Sequence, residues 1–136
     1  MGYLVKNFSL GQSVSITLAE DADRLELVGR MAGTGIRINT IKAKGSTARI
    51  GFYAPAGLTP KKHHDDHLRE GFLALTRKID EAICITMQPW ADPQAALLSL
   101  KREGIWVVFD GPHNGGIKLL IQAPQELLVL REELVR

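Results

Sequence analysis

The sequence predicts a mainly β protein made of two similar units, each with one helical insert. Three features indicate this class: short segments in which apolar and polar residues alternate, turns that contain glycine, and an order of elements that occurs twice along the 136 residues. In both units an opening strand is followed by a tight turn, a second strand, a helical segment, a hairpin and an Ala-Pro dipeptide. Because units of this size bury too little apolar surface to be stable alone, we expect them to share a core.

The first unit opens with a predicted strand over 3–8, which a turn connects to an alternating strand over 14–18. Helical character follows over 19–31. Two further strands then meet at a turn over 44–46, and this hairpin closes at Ala54-Pro55. Proline is tolerated at that point because it has no N–H to donate to a continuing ladder.

The second unit repeats this order. Its predicted strands lie over 72–78, 82–86, 105–109 and 117–121. The inserted helix is predicted over 93–103, with Asp92 as N-cap and proline at the first helical position. A turn is predicted over 111–116, and the hairpin again closes at an Ala-Pro dipeptide, Ala123-Pro124. Both units are therefore predicted to be β-rich with one inserted helix.

Composition and charge leave several functions open and argue against a membrane protein. The net charge of +2 permits contact with phosphate but does not demand it. Cys84 is the only cysteine, so no disulfide can form within the chain, and we expect a reducing, cytoplasmic environment. From its first residues we expect no targeting signal, and the longest apolar runs are far too short to span a bilayer.

Two motifs at the ends of the second unit carry a family resemblance. Residues 73–78 read Leu-Ala-Leu-Thr-Arg-Lys, and residues 123–134 read Ala-Pro-Gln-Glu-Leu-Leu-Val-Leu-Arg-Glu-Glu-Leu. Together they resemble the carbon storage regulator (CsrA/RsmA) family, which opens and closes with such strands. The chain is interpreted as a tandem fusion of two diverged copies: a degenerate copy over 1–62, a linker over 63–70 and a better-preserved copy over 71–136.

The resemblance implies a fold and a function. Each copy would be a five-stranded unit, and the two would form an intrachain pseudo-dimer with shared sheets, in which the helical insert lies between the second and third strands of each unit. The implied function is post-transcriptional: the protein would bind GGA-containing mRNA leaders or small RNAs, in single strands or hairpin loops, and change translation without catalysis or cofactor. Further pairing into a homodimer stays open.

By correspondence with the family, eight residues would form the RNA-binding surface. They are Leu75, Thr76, Arg77 and Lys78 on the opening strand of the second unit, Val129, Leu130 and Arg131 on its closing strand, and Lys62 in the first unit. Arg131 is the strongest candidate, because a planar guanidinium can bind a phosphate or a guanine edge with two hydrogen bonds. The simpler interpretation of Arg131 is an exposed cation that pairs with a neighbouring glutamate. Arg77 and Lys78 could likewise only keep an edge strand charged.

The first unit departs from the family pattern where the RNA would bind. Phe8 and Ser9 stand where the family has arginine and lysine, and Pro60 and Lys62 stand where it has the closing-strand valine and arginine. In the family, the opening strand of one unit lies beside the closing strand of the other. This arrangement would place Arg131 near Lys6 and Phe8, and Arg77 near Lys61 and Lys62. Phe8 could stack on a base, although a core position is the simpler interpretation.

This weakened first unit motivates an alternative function. The protein could be a degenerate relative that has lost RNA binding and acts through protein contacts, with a regular family member or with a protein antagonist of the family as partner.

Two further patterns are not interpreted as sites. His63, His64, Asp65, Asp66 and His67 have residue types that bind zinc or nickel, but they fall in the polar connection between the units, so no metal site is predicted. Cys84 lies within an alternating strand, where a thiol is normally inert, so no catalytic residue is predicted and an enzyme is not expected.

Overall fold

The fold is seen in a computed structural model, which describes residues 2–64 and 72–134. In the first half the elements are β1 (Gly2–Ser9), β2 (Ser13–Leu18), α1 (Arg24–Ala32), β3 (Ile36–Lys44), β4 (Thr47–Ala54) and β5 (Leu58–His63). In the second half they are β6 (Leu73–Lys78), β7 (Ala82–Met87), α2 (Pro93–Arg102), β8 (Ile105–His113), β9 (Gly116–Gln122) and β10 (Leu127–Arg131), followed by a 3-10 turn over Glu132–Leu134. The prediction of a mainly β protein with one helix after the second strand of each unit is confirmed. The predicted linker over 63–70 falls mostly outside the described residues, and β5 includes its first residue, His63.

The strands form two five-stranded sheets, and every sheet contains strands from both halves. One sheet has the order β1-β4-β3-β7-β10, and the other has the order β5-β2-β8-β9-β6. All neighbouring strands are antiparallel. The halves meet where β3 pairs with β7 and where β2 pairs with β8, so main-chain hydrogen bonds join them in both sheets.

The main-chain contacts of the two halves repeat at a constant spacing. The N–H of Gly11 donates to the carbonyl of Phe109 over 2.9 Å, and 69 residues later the N–H of Asp80 donates to the carbonyl of Thr40 over 2.8 Å. The acceptors, Thr40 and Phe109, are separated by the same 69 residues. Each turn therefore reaches across to the other half in the same way, which relates the halves by an approximate twofold axis.

Both helices begin at an aspartate whose side chain accepts a hydrogen bond from the first turn. Asp23 accepts from the N–H of Glu26, and Asp92 accepts from the N–H of Ala95, each over 3.2 Å. The predicted start of the second helix is confirmed. The first helix was predicted to begin at residue 19, but it begins at Arg24, because the N-cap at Asp23 fixes its first turn.

The turn of the second hairpin is shorter than predicted. The sequence predicts a turn over 111–116, whereas β8 continues to His113. The register of the β8–β9 pair shifts between Phe109 and Pro112, and this bulge lets the proline stand inside the strand opposite Ile117. Of the predicted turn, only Asn114 and Gly115 lie outside β8 and β9.

One apolar core lies between the two sheets and beneath the helices. Phe8, Ile16 and Phe52 from the first half are buried in the same cluster as Ile83 and Phe109 from the second. The expectation of a shared core is therefore confirmed. None of the helices in the described part of the chain is long and apolar enough to cross a membrane.

Candidate nucleic-acid interface

Two edge strands of the second half border an open cleft. β6 is an edge of one sheet and β10 is an edge of the other, and the cleft between them has a volume of about 390 Å³. Its lining residues are Thr76, Arg77, Lys78, Glu81, His113, Asn114 and Arg131. Four of the eight residues predicted to bind RNA thus meet at one place.

Arg131 and Lys78 are the two accessible cations of this cleft. Both side chains are exposed, Arg131 at the end of β10 and Lys78 at the end of β6. Within residues 2–64 and 72–134, no hydrogen bond or ion pair engages the guanidinium of Arg131. Its charge contributes to lowering the pKa of Glu133, after the larger effect of the hydrogen bond from Arg77. Two positive groups therefore face solvent across a concave surface.

Arg77 lines the same cleft but is buried, unlike the exposed edge-strand cation that the sequence suggested. Its side chain is only 6 % exposed. One guanidinium nitrogen, Nη1, donates to Glu133 Oε1 over 2.6 Å and to the carbonyl of Ala82 over 3.2 Å, and Nε donates to the carbonyl of Thr76 over 2.8 Å. Since these acceptors occupy the guanidinium, Arg77 shapes the wall of the cleft and does not present a free charge.

The backbone of Thr76 faces the open side of β6. The N–H of Lys78 donates to Glu81 Oε1 over 2.7 Å instead of to β9, so the main chain of Lys78 points away from the sheet. Main-chain groups alternate between the two sides of a strand, and Thr76 therefore points the same way as Lys78. Its carbonyl accepts the Nε–H of Arg77 on that side. The edge of β6 beside Arg131 thus carries backbone polar groups as well as cations.

Three apolar residues were also predicted for the site, and all three are half-buried. Leu75 and Val129 are half-buried and pack against the core. Leu130 is half-buried in β10, opposite Cys84 of β7. Leu75 and Val129 therefore anchor the two edge strands to the core.

Lys62 lies in the first half, away from this cleft, and is engaged there. Its Nζ donates to the carbonyl of Asn7 over 2.6 Å and lies 4.9 Å from the centre of the Phe8 ring. Partial burial, and then the nearby charge of Lys6, lowers the pKa of Lys62. Phe8 itself is 1 % exposed and packs edge-to-face on Phe52, with ring centres 5.6 Å apart. The suggestion that Phe8 stacks on a base is therefore wrong, and its position in the core is confirmed.

The predicted pairing of opening and closing strands between the halves is also wrong. Arg131 was expected beside Lys6 and Phe8, and Arg77 beside Lys62. Instead Lys62 contacts Phe8 of its own half, and Arg77 contacts Glu133 of its own half. The reason is topological: β1 and β10 form opposite edges of one sheet, so they cannot be neighbours within it.

Sequence reasoning missed three residues next to the cleft. His113 and Asn114 line it, and they also line a second groove of about 400 Å³, which includes Lys44 at the end of β3. The tips of the β3–β4 and β8–β9 hairpins thus meet at this groove. Lys44 and His113 are 69 residues apart, so the repeat was the signal that could have brought the two tips together.

A larger cleft of about 640 Å³ lies at the side of the first sheet, between α1 and β7. Arg37 donates there to both carboxylate oxygens of Glu132, from Nε over 2.9 Å and from Nη2 over 3.1 Å. This contact raises the pKa of Arg37 and lowers the pKa of Glu132. Cys84 also lines the cleft and is half-buried; burial, followed by the charge of Glu132, raises the pKa of its thiol. A raised pKa keeps the thiol protonated and weakly nucleophilic.

The polar run between the units is only partly described. His63 is within hydrogen-bond distance of Ser15 Oγ at 2.7 Å, and its ring lies 4.9 Å from that of Trp106. Residues 65–67, which completed the discounted metal pattern, lie outside the described residues.

Comparison with known proteins adds no relative. No protein-family model matches the chain, and neither the curated proteins nor the solved structures give a match.

Proposed function

We propose that this chain is an RNA-binding regulator that acts after transcription, by recognising GGA-containing mRNA leaders or small RNAs and limiting ribosome access. The observation that carries the proposal is the exposed Arg131, which lines one cleft together with Lys78 and Thr76 of the edge strand β6. The motifs at 73–78 and 123–134, which suggested RNA binding from sequence, border this same cleft.

The chemistry of the cleft suits an unpaired RNA loop. Unpaired bases offer their edges to hydrogen bonds, and the edge strand β6 can provide main-chain groups to them. A guanidinium such as that of Arg131 can bind a guanine edge or a phosphate with two hydrogen bonds, and an ammonium such as that of Lys78 can neutralise a phosphate. Neither interaction needs a cofactor or a catalytic group.

The shared sheets agree with a pseudo-dimer of the carbon storage regulator type. In this proposal, the 69-residue spacing of equivalent contacts reflects a tandem duplication, and the pairing of β3 with β7 and of β2 with β8 takes the place of contacts between two separate subunits. The open cleft belongs to the half that retains the family motifs.

A mobility-shift experiment tests the proposal. The full chain is titrated with a hairpin RNA whose loop contains GGA and with a matched hairpin in which the loop is changed to CCA. We expect binding to the first RNA at low micromolar concentration and low salt, and a modest salt dependence because few phosphates are contacted. Arg131→Ala should abolish most of this binding. The matched control is Arg102→Ala, which removes an exposed arginine at the end of α2. Equal affinity for both RNAs, or no effect of Arg131→Ala, would reject the proposal.

The alternative function, a protein that binds other proteins and no RNA, is supported by two observations. Arg77 is occupied by Glu133, and Lys62 is occupied by Asn7 and Phe8, so two of the predicted cations are not free. Affinity purification with and without ribonuclease distinguishes the two functions. A family member or a protein antagonist recovered equally in both samples, with no enriched RNA, would favour the alternative.

A further inference from the structure

The two ends of the repeat that could bind RNA are not equivalent. The 69-residue offset relates Arg131 to Lys62 and Lys78 to Ser9. A symmetrical protein would therefore have two equal clefts, one beside β6 and β10 and one beside β1 and β5. The side chains at these two places differ in kind, and so do their contacts.

The edge formed by β1 and β5 is filled by its own side chains. Lys62 lies over the buried ring of Phe8, and its ammonium donates to the carbonyl of Asn7 over 2.6 Å. A phosphate that approached Lys62 would have to displace both contacts. Ser9, at the position equivalent to Lys78, adds no charge. The positions equivalent to Arg131 and Lys78 therefore present no free cation at this edge, and the exposed lysines of β1 and β5, Lys6 and Lys61, stand at other positions.

The edge formed by β6 and β10 is open and continues into the other half. His113 and Asn114 line both the cleft that contains Arg131 and the groove that contains Lys44. Lys44 is exposed at the tip of the β3–β4 hairpin, and Gly45 beside it presents no side chain to the groove. The cleft, which contains two cations of the second half, thus adjoins at His113 and Asn114 the groove that contains one cation of the first half.

We infer that the chain holds one RNA strand, not two, along an asymmetric path from Arg131 and Lys78 past His113 and Asn114 to Lys44. The inference rests on the proposed function and adds to it the stoichiometry and a contact in the degenerate half. In this arrangement the first half contributes its hairpin tip to the site of the second half. Its own edge serves as a support, with Lys62 held against Phe8.

Native mass spectrometry and calorimetry of the full chain with a single-GGA hairpin RNA test the inference. We expect one RNA per chain even with RNA in excess. Removal of a charge-assisted contact should weaken binding by about tenfold or more for Arg131→Ala and by several-fold for Lys44→Ala. Lys62→Ala and Lys42→Ala should stay within about twofold of the unsubstituted chain. Lys42 is the matched control for Lys44, because it is an exposed lysine two residues earlier in β3. Thermal melting of each variant checks that it is folded.

The outcomes separate this inference from the proposed function. Two RNAs per chain, or a loss for Lys62→Ala as large as that for Arg131→Ala, would overturn the single asymmetric path and leave RNA binding intact. An unchanged affinity for Lys44→Ala would also overturn it. Failure of the unsubstituted chain to bind the hairpin would overturn the proposed function itself.

Discussion

The guanidinium of Arg77 donates to Glu133 Oε1 over 2.6 Å and so ties the edge strand of one sheet to the turn that follows the edge strand of the other. In the first half the equivalent position, 69 residues earlier, holds Phe8, which is buried against Phe52. The same place in the fold is therefore filled by an ion pair in one half and by an aromatic ring in the other. Both solutions close the end of the core, but only the ion pair brings charge to the wall of a cleft.

Arg77→Ala should destabilise the protein. We expect the free energy of unfolding to fall by about 2–3 kcal/mol, because the substitution leaves a hole and removes the donor to the buried carbonyl of Ala82. Glu133→Ala should cost less, since Glu133 is exposed and Glu81 still lies 3.8 Å from the guanidinium. Urea unfolding of both variants and of the double variant measures this. A larger loss for Glu133→Ala than for Arg77→Ala would contradict the assigned roles.

Arg131→Ala, unlike Arg77→Ala, should leave stability almost unchanged and weaken RNA binding. Its side chain is exposed and makes no hydrogen bond or ion pair within the described residues, so the free energy of unfolding should change by less than about 0.5 kcal/mol. RNA affinity should nevertheless fall, as the proposed function requires. Measuring stability and RNA affinity on the same two variants, Arg77→Ala and Arg131→Ala, distinguishes a side chain that stabilises the fold from one that contacts RNA. A strongly destabilised Arg131→Ala protein would assign the side chain to the fold.

The ion pair between Arg37 and Glu132 should make stability depend on acid pH. The hydrogen bond from Arg37 holds the pKa of Glu132 below its ordinary value, so the folded protein binds this proton less readily than the unfolded chain does. The resulting stabilisation is complete above the unfolded pKa and is lost as the pH falls through the folded pKa. Because both side chains are partly exposed, the effect should be small and should weaken with salt.

Denaturant unfolding at a series of pH values from neutral to acid, on the unsubstituted chain and on Glu132→Gln, measures this contribution. The glutamine variant cannot titrate at this position, so its stability should fall less steeply with acid. Identical slopes for the two proteins would show that the ion pair adds nothing to the pH dependence.

The two halves should not fold separately. A fragment of residues 71–136 would retain β8, β9 and β6 of one sheet but only β7 and β10 of the other, and it would expose the core faces that the first half covers. We expect such a fragment to lack a cooperative thermal transition, and to regain one when the 1–64 fragment is added. A 71–136 fragment that melts cooperatively as a monomer would contradict this expectation.

The strands and helices of this fold could be predicted from the sequence, but the burial of individual side chains could not. Alternation in β6 puts Leu73, Leu75 and Arg77 on one face, and the exposed fraction falls along that face from the leucine at the start to the buried arginine at the end. Burial here depends on where the end of the strand lies relative to the other sheet, which is a property of the tertiary structure. The sequence therefore left Arg77 as an accessible cation, and the pairing of edge strands between the halves, which the family resemblance implied, was mispredicted because the order of strands in each sheet is also a tertiary property.

Substituting alanine at two glycines, Gly35 and Gly29, should have opposite effects on stability, one through backbone strain and the other through helix propensity. Gly35 has a φ of +63°, and a Cβ at this position would collide with the carbonyl of Ile85 in the neighbouring strand. Gly35→Ala should therefore lower the free energy of unfolding by at least about 2 kcal/mol. Gly29 lies in α1, and a Cβ added there would meet no neighbouring heavy atom within 4 Å, so Gly29→Ala should raise stability by about 0.5–1 kcal/mol through helix propensity. Thermal and urea unfolding of the two variants should move in opposite directions, and a harmless Gly35→Ala would mean that β3 and β7 do not approach as closely as this pairing requires.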